Sequence, residues 1–176
     1  MEPYLAQFDP VRDDSGWVSE SPSDYVARMK SGPLPHWPDE VLVEWLHRHN
    51  RHADRYAFLG FERLSFQREI WPLERVPGRE AFYDPRFCDD FMDVDRRARL
   101  SMPDWLARYM LERGTWNTPI ILLSNPSGGI AFPSGEHLRT PVHLLEGHRR
   151  LAFLNGMRSM GRALPEHEIW IAQWRP

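Results

Sequence analysis

The sequence lacks several features that would assign it to a particular class of protein. It contains one cysteine, Cys88, which excludes a disulfide framework within the chain and suits a reducing compartment. No run of about 18 apolar residues occurs, so neither a membrane-spanning helix nor a membrane partner is expected. The acidic first residues lack the basic and apolar layout of a signal peptide. Together these absences predict a cytoplasmic protein.

An excess of positive charge is also missing. The chain has 22 Lys and Arg residues against 25 Asp and Glu residues, a net charge of −3 at pH 7. Stand-alone nucleic-acid-binding proteins usually carry a basic surface, so nucleic acid is not the favoured partner, although a local basic patch stays open. Arg96, Arg97 and Arg99 form a small basic cluster. Solvated surface charge is the favoured interpretation of this cluster over contact with a phosphate backbone.

What the sequence does contain is typical of a folded domain with many short elements. Hydrophobic residues make up 41% and aromatic residues 12% of the 176 residues, enough for a sizeable core. The 16 prolines predict frequent turns. Residues 1–65 are predicted to form a mainly helical N-terminal extension, and residues 66–176 a separate domain.

The first half of the sequence carries one strong helical pattern. Apolar residues recur at three- and four-residue spacing from Asp39 to about Leu59, which predicts a helix, and Gly60 is predicted to end it. Extended segments are predicted at 61–66 and 70–74. Residues 77–103 mix prolines with many charges, which predicts a loop with at most one short helix.

The C-terminal part alternates helices and strands. Asp104 is predicted to cap a helix that ends before Gly114. A strand is predicted at 119–123, and a turn connects it to a second strand at 142–145. A helix at 148–155 and a last strand at 168–174 follow. This order predicts an α/β or α+β fold with the strand topology open.

The sequence HLLEGHRRLAFLNG, residues 143–156, places charged residues where a strand turns into a helix. The first backbone amides of a helix have no partner and carry positive potential, so they can bind an anion. Gly147 would let a phosphate approach closely, and Arg149 and Arg150 offer planar donors for its oxygens. His148 could donate a further hydrogen bond, and Glu146 could act as a base or help hold a metal ion. The simpler alternative is a glycine turn followed by solvated charges.

The succession of strand, Glu-Gly-His-Arg and helix resembles the signature of the ParB/sulfiredoxin-like superfamily. Residues 106–123 resemble its helix, turn and strand, and residues 71–87 resemble its opening strand and arginine-containing loop. The likeness extends from about Ile70 to Trp174. It implies a small mixed sheet with flanking helices, which binds nucleotide phosphates at the junction loop. Residues 1–65 have no counterpart in the family.

Two activities of the superfamily fit this sequence poorly. Sulfiredoxins need a cysteine directly before the motif histidine, where this chain has Gly147, and Cys88 lies far away. Partition proteins carry a helix-turn-helix module and a dimerisation domain after the motif. The stretch after the last predicted helix is short, so neither module is expected here.

The resemblance to free serine kinases of the same superfamily is the least contradicted. It implies a phosphotransferase or nucleoside triphosphatase that binds ATP, ADP or CTP with Mg²⁺. A second carboxylate is expected upstream, and the sequence does not separate Glu69, Glu74 and Glu80 for this role. The implied catalytic residues are Glu146, His148 and Glu74, and the implied phosphate-binding residues are Gly147, His148, Arg149, Arg150 and Arg86. The alternative is a non-catalytic module that binds nucleic acid or protein, or a nuclease-related domain.

Two further clusters are assigned no chemistry. His49 and His52 have helical ligand spacing, but no cysteine or carboxylate completes a familiar metal signature. The acidic stretch from Asp84 to Asp95 lacks the glycine and glutamate positions of a calcium loop. A mixed-charge helix face and a solvated loop are the predicted structures, and no metal site is predicted.

Overall fold

The structure, a computed structural model, describes residues 2–102 and 104–176 and divides into two compact units. The first unit runs to Phe66 and also takes in Ala172–Pro176, and the second comprises Gln67–Ile171. The predicted boundary lay between residues 65 and 66. The observed division falls one residue later and places the end of the chain with the first unit.

The first unit is mainly helical. Helix α1 spans Glu2–Ala6 and α2 spans Pro22–Ser31. Residues 39–59 are helical as predicted, in four consecutive segments: α3 at Asp39–Val41, a wide π turn at Leu42–His47, α4 at Arg48–Ala53 and a 3₁₀ turn at Asp54–Leu59. They do not form one continuous helix, because the backbone is kinked at His49, whose φ of −128° and ψ of 31° are not helical. Gly60, at φ 70°, ends the last segment as predicted. The unit packs around aromatic rings, with Trp37 stacked on Trp45 at a centroid distance of 5.7 Å.

A four-stranded sheet contains β1 (Leu64–Pro72), β2 (Ile120–Ser124), β3 (Val142–Glu146) and β4 (Glu166–Trp174). The strand order is β1-β4-β2-β3, and β2 and β3 are antiparallel. The predicted class, mixed α and β, is confirmed. The extended segments predicted at 61–66 and 70–74 are only partly confirmed. Residues 64–66 and 70–72 belong to one continuous strand, β1, whereas Phe61–Arg63 forms a 3₁₀ turn and residues 73–74 lie in the turn that follows β1.

The described residues of the second unit form four α-helices: α5 (Pro85–Phe91), α6 (Val94–Ala98), α7 (Trp105–Arg113) and α8 (His148–Ser159). A 3₁₀ turn at Arg79–Ala81 precedes them. The predicted α7 is confirmed together with its Asp104 cap and its left-handed Gly114. The prediction of at most one short helix within residues 77–103 is wrong. Asp84 and Asp93 each accept a hydrogen bond from a backbone amide, at 3.0 Å, and so begin α5 and α6.

Helix α8 lies in the core of the second unit and is buried on most of its surface. Leu151, Phe153, Leu154 and Met157 are fully buried within one cluster with residues from β2, β3 and β4. Gly156 lets α8 approach the end of α5, since a Cβ atom there would lie 1.8 Å from the carbonyl oxygen of Met92. Packing of residues 150–157 therefore holds α8 in place.

No helix within residues 2–102 and 104–176 is long and apolar enough to cross a membrane.

Candidate functional site

The predicted strand-to-helix junction is present, and the structure explains its glycine. Strand β3 ends at Glu146, α8 begins at His148, and Gly147 lies between them with φ 97° and ψ 26°. A Cβ atom at Gly147 would lie 2.5 Å from Cγ2 of Ile120, the first residue of β2. Both the left-handed backbone and the neighbouring strand therefore require glycine at this position.

The same glycine leaves the start of α8 without a side-chain cap. In this 12-residue helix the carbonyl of Gly147 accepts a hydrogen bond from Leu151 N at 2.9 Å, which begins the regular backbone pattern. The amides of the first turn carry the positive end of the helix dipole, and glycine offers no oxygen to them. An incoming anion can fill that role.

Glu146 and Arg150 form a buried ion pair across the junction. Their side chains contact each other, and the two residues are only 9% and 6% exposed. Arg150 also donates a hydrogen bond of 3.0 Å to the carbonyl oxygen of Thr118, just before β2. Two residues that were predicted to act on a ligand are thus engaged in holding β3, α8 and the segment before β2 together.

Arg149 has the opposite environment, although it is the next residue in the chain. It is exposed, and its guanidinium pairs with Asp104, the cap of α7. Its charged end also lies 6.0 Å from the ring centre of Phe91 and 5.7 Å from that of Phe153. The structure therefore places one arginine of the motif at the surface, in the first turn of α8, and the other in the interior.

His148 is half-buried between two aromatic rings at the same turn. The ring centres of Phe82 and Phe87 lie 6.0 Å and 5.7 Å from that of His148, both in edge-on arrangements. Phe87 belongs to α5, so that helix borders the junction. These contacts limit the orientations of the imidazole and hold it on the first turn of α8.

The second unit also has a surface cleft of about 460 Å³. Glu80, Pro85, His137 and Arg139 are among the residues that line it. Arg139 connects the cleft to the junction, because its guanidinium donates to the carbonyl oxygens of Phe82 and Tyr83 at 3.0 Å and 2.8 Å, and the Phe82 ring packs on His148.

Sequence analysis missed His137 and Arg139. Both lie in the long connection between β2 and β3, residues 125–141, which folds back through hydrogen bonds to Asn125. The one available signal was the concentration of charged residues just before β3, in the sequence EHLRT at 136–140.

In the described part of the chain, the other predicted site residues, Arg86 and Glu74, form no hydrogen bond or ion pair with the junction of β3 and α8. Arg86 is next to Phe87 in α5, but its side chain is 84% exposed and donates to Asp84 at 2.7 Å. That hydrogen bond holds the pKa of the Asp84 carboxyl below its usual range. Glu74 is exposed in the turn after β1, and no hydrogen bond or ion pair among the described residues joins it to the junction.

The two other candidate carboxylates are also used locally. Glu69 accepts a hydrogen bond from Nε1 of Trp71 at 2.7 Å, and Glu80 accepts one from the amide of Gly78 at 2.7 Å. Of the three glutamates that the sequence could not separate, Glu80 alone lines the cleft. Among residues 2–102 and 104–176, no group of three or more His, Cys, Asp or Glu side chains is placed to hold a metal ion.

Comparison of the chain with family models, with curated proteins and with solved structures gives no match. The resemblance to the ParB/sulfiredoxin-like superfamily is therefore still a prediction from the sequence, and the functional argument depends on the geometry of the junction.

Proposed function

We propose that this protein binds a nucleotide through its phosphates at the junction of β3 and α8. In this proposal the backbone amides of the first turn of α8 and the side chains of His148 and Arg149 contact the phosphates. The nucleoside would extend toward the cleft lined by Glu80 and Arg139.

The observation that carries the proposal is the combination, on one helical turn, of a glycine cap and an exposed arginine. Gly147 supplies no side chain to the helix start, and Arg149 is exposed beside it. Backbone amides and guanidinium groups are common hydrogen-bond donors to phosphate oxygens in proteins, and the helix dipole adds a favourable potential. The buried pair of Glu146 and Arg150 supports the proposal differently, by fixing this turn in place before any ligand arrives.

Phosphoryl transfer is the proposed reaction, as the resemblance to free serine kinases implies. Such a reaction depends mainly on positioning and on neutralising charge, which His148 and Arg149 would supply. Glu80 replaces Glu74 as the proposed carboxylate, because it lines the cleft while Glu74 lies outside it. Mg²⁺ would be held chiefly by the phosphates of the nucleotide, as is common for this ion.

Calorimetric titration with ATP, ADP and CTP, each with Mg²⁺, tests the proposal. We expect saturable binding of at least one nucleotide and a loss of about tenfold or more in affinity for Arg149→Ala, because a charge-assisted phosphate contact is removed. Arg113→Ala is the matched control, since Arg113 is an exposed arginine at the far end of α7. Absence of binding, or equal binding by both variants, would contradict the proposal.

A further inference from the structure

A second surface of the same unit combines exposed apolar side chains with arginines. Helices α6 and α7 are joined by residues 99–104, and the ends of this connection are close because Asp104 N donates to Arg97 O at 3.1 Å. The exposed side chains of this region define the α6–α7 patch: Leu100, Met102 and Trp105 with Arg96, Arg99 and Arg108.

The apolar part of the α6–α7 patch is unusually open to water. Met102 is 88% exposed, Trp105 is 64% exposed and Leu100 is 42% exposed. Trp105 is the first residue of α7, whose Leu106 and Met110 are buried in the core. The buried face of α7 thus packs in the core without Trp105, and the exposed indole of Trp105 can contact a partner.

The charged part of the α6–α7 patch is positive although the whole chain is negative. Arg96 makes no ion pair within the described parts of the chain, and Arg108 donates only to the carbonyl oxygen of Ala98, at 3.2 Å. Arg99 shares Asp95 with Arg162, at 3.2 Å and 3.4 Å, so that two arginines face one carboxylate.

The remaining acidic groups of this region have other roles. The carboxylates of Asp93 and Asp104 accept hydrogen bonds from the first amides of α6 and α7, where the positive end of each helix offsets their charge. Within residues 93–108, Arg96, Arg97, Arg99 and Arg108 therefore outnumber the three aspartates.

We propose that the α6–α7 patch binds single-stranded nucleic acid, with Trp105 stacked on a base and the arginines in contact with neighbouring phosphates. Proteins that hold single strands combine exposed aromatic rings with a positive surface in this way. A duplex keeps its bases stacked and offers none to the indole. An anionic membrane is less well matched, because α6 and α7 bury their apolar faces and present no amphipathic helix to a bilayer.

Fluorescence anisotropy with a labelled oligothymidylate of about 12 nucleotides tests this proposal on the full chain. We expect binding with a Kd of roughly 10 µM at low salt. If three phosphates are contacted, affinity should fall roughly 20-fold when the salt rises from about 50 to about 200 mM. Trp105→Ala should weaken binding by about tenfold, whereas Trp105→Phe, which keeps an aromatic face, should retain most of it.

The arginines are tested separately from the indole. The double variant Arg96→Ala/Arg99→Ala should bind more weakly and should show a shallower dependence on salt, by about 1.4 in the logarithmic slope. Trp17→Ala and Arg51→Ala are matched controls, since both residues are exposed in the first unit. All these variants keep Arg149, so a failed nucleotide titration would leave this result unaffected.

Three outcomes would overturn the proposal. The first is the absence of oligothymidylate binding at low salt. The second is full-strength binding by Trp105→Ala. The third is stronger binding to a duplex, or to vesicles of anionic phospholipid, than to the single strand.

Discussion

Helices α7 and α8 belong to the same unit, and their N-termini are capped differently. At α7 the Asp104 carboxylate accepts hydrogen bonds from the amides of Leu106 and Ala107, at 3.0 Å and 3.4 Å. At α8 the corresponding residue is Gly147, which has no side chain to offer. A helix start that carries its own carboxylate has no need of an anion, whereas one with a glycine can accept it.

Arg149 joins the two helix starts. It belongs to α8, yet its guanidinium pairs with the Asp104 carboxylate that caps α7. The next residue, Arg150, is buried with Glu146 instead. The comparison teaches that adjacent arginines of one motif have separate environments: Arg150 is buried in the junction, and Arg149 forms an ion pair at the surface that the proposed ligand would have to replace.

The largest expected effect separates these two arginines. Glu146→Ala should destabilise the second unit by about 3–5 kcal/mol, because it leaves the Arg150 guanidinium buried without its partner. Arg149→Ala removes an exposed pair and should cost about 1 kcal/mol or less. Urea denaturation of the two variants measures the difference. Similar losses for both would remove the distinction between a structural and a ligand-binding arginine.

The next largest effect concerns the glycine cap. Gly147→Ala should cost roughly 2–4 kcal/mol, because alanine is disfavoured at this positive φ and its Cβ atom would press against Ile120. Gly161→Ala is the control, since Gly161 also has a positive φ but has open space where a Cβ atom would lie. Its free energy of unfolding should fall only by the cost of placing alanine at a positive φ, with no added steric cost. Equal losses in thermal denaturation would mean that contact with β2 does not require the glycine.

Acid should destabilise the second unit through His167, which contacts the segment just after α7. His167 is buried, and its Nδ1 and Nε2 atoms hydrogen-bond to Thr115 Oγ1 at 2.8 Å and to the carbonyl oxygen of Leu164 at 3.0 Å. Burial lowers the pKa of His167 below its ordinary value of 6.5. As the pH falls below 6.5, the unfolded chain therefore takes up a proton at this residue before the folded chain does.

The resulting loss of stability has a defined pH window. The contribution of His167 is complete above pH 6.5 and decreases as the pH falls toward the lower pKa of the folded state, by at most about 1.4 kcal/mol per pH unit. Urea denaturation at several pH values, for the wild type and for His167→Gln, isolates this residue from the other histidines. Identical pH slopes for the two proteins would contradict the assignment.

The smallest expected effect tests the link between the two helix starts. Asp104→Asn keeps an oxygen that can cap α7, so stability should change by less than about 1 kcal/mol. It removes the charge that pairs with Arg149 and should tighten nucleotide binding by roughly threefold, since a competing exposed ion pair of this kind contributes only modestly. Calorimetric titration of the variant measures this change. Weaker binding would mean that Asp104 positions Arg149 rather than competing for it.

The sequence predicts the two helix starts well because their signals are local. The Asp104 cap, the Gly114 end and the strand-glycine-helix junction each depend on a few neighbouring residues, and all are present as expected. Residues 77–103 were predicted poorly for the opposite reason. Helices of seven and five residues are too short to show a clear apolar period, and their aspartate caps resemble loop residues.

The environments of the motif arginines could not be predicted from local signals. Arg149 pairs with a residue 45 positions earlier in the chain, and Arg150 binds a carbonyl 32 positions earlier. The cleft depends on the fold of residues 125–141 against the segment that precedes α5. Such contacts are decided by tertiary packing, and nothing in the spacing of the motif distinguishes its two arginines.

The most direct test of the central claim is a nucleotide titration followed by backbone amide NMR shifts. We predict that ATP, ADP or CTP with Mg²⁺ shifts the amide signals of Gly147, His148 and Arg149 at the start of α8. The amides of Leu106 and Ala107, which the Asp104 carboxylate already occupies, should change much less. Shifts confined to other parts of the chain, or no shifts at saturating nucleotide, would contradict a phosphate site at the glycine-capped helix.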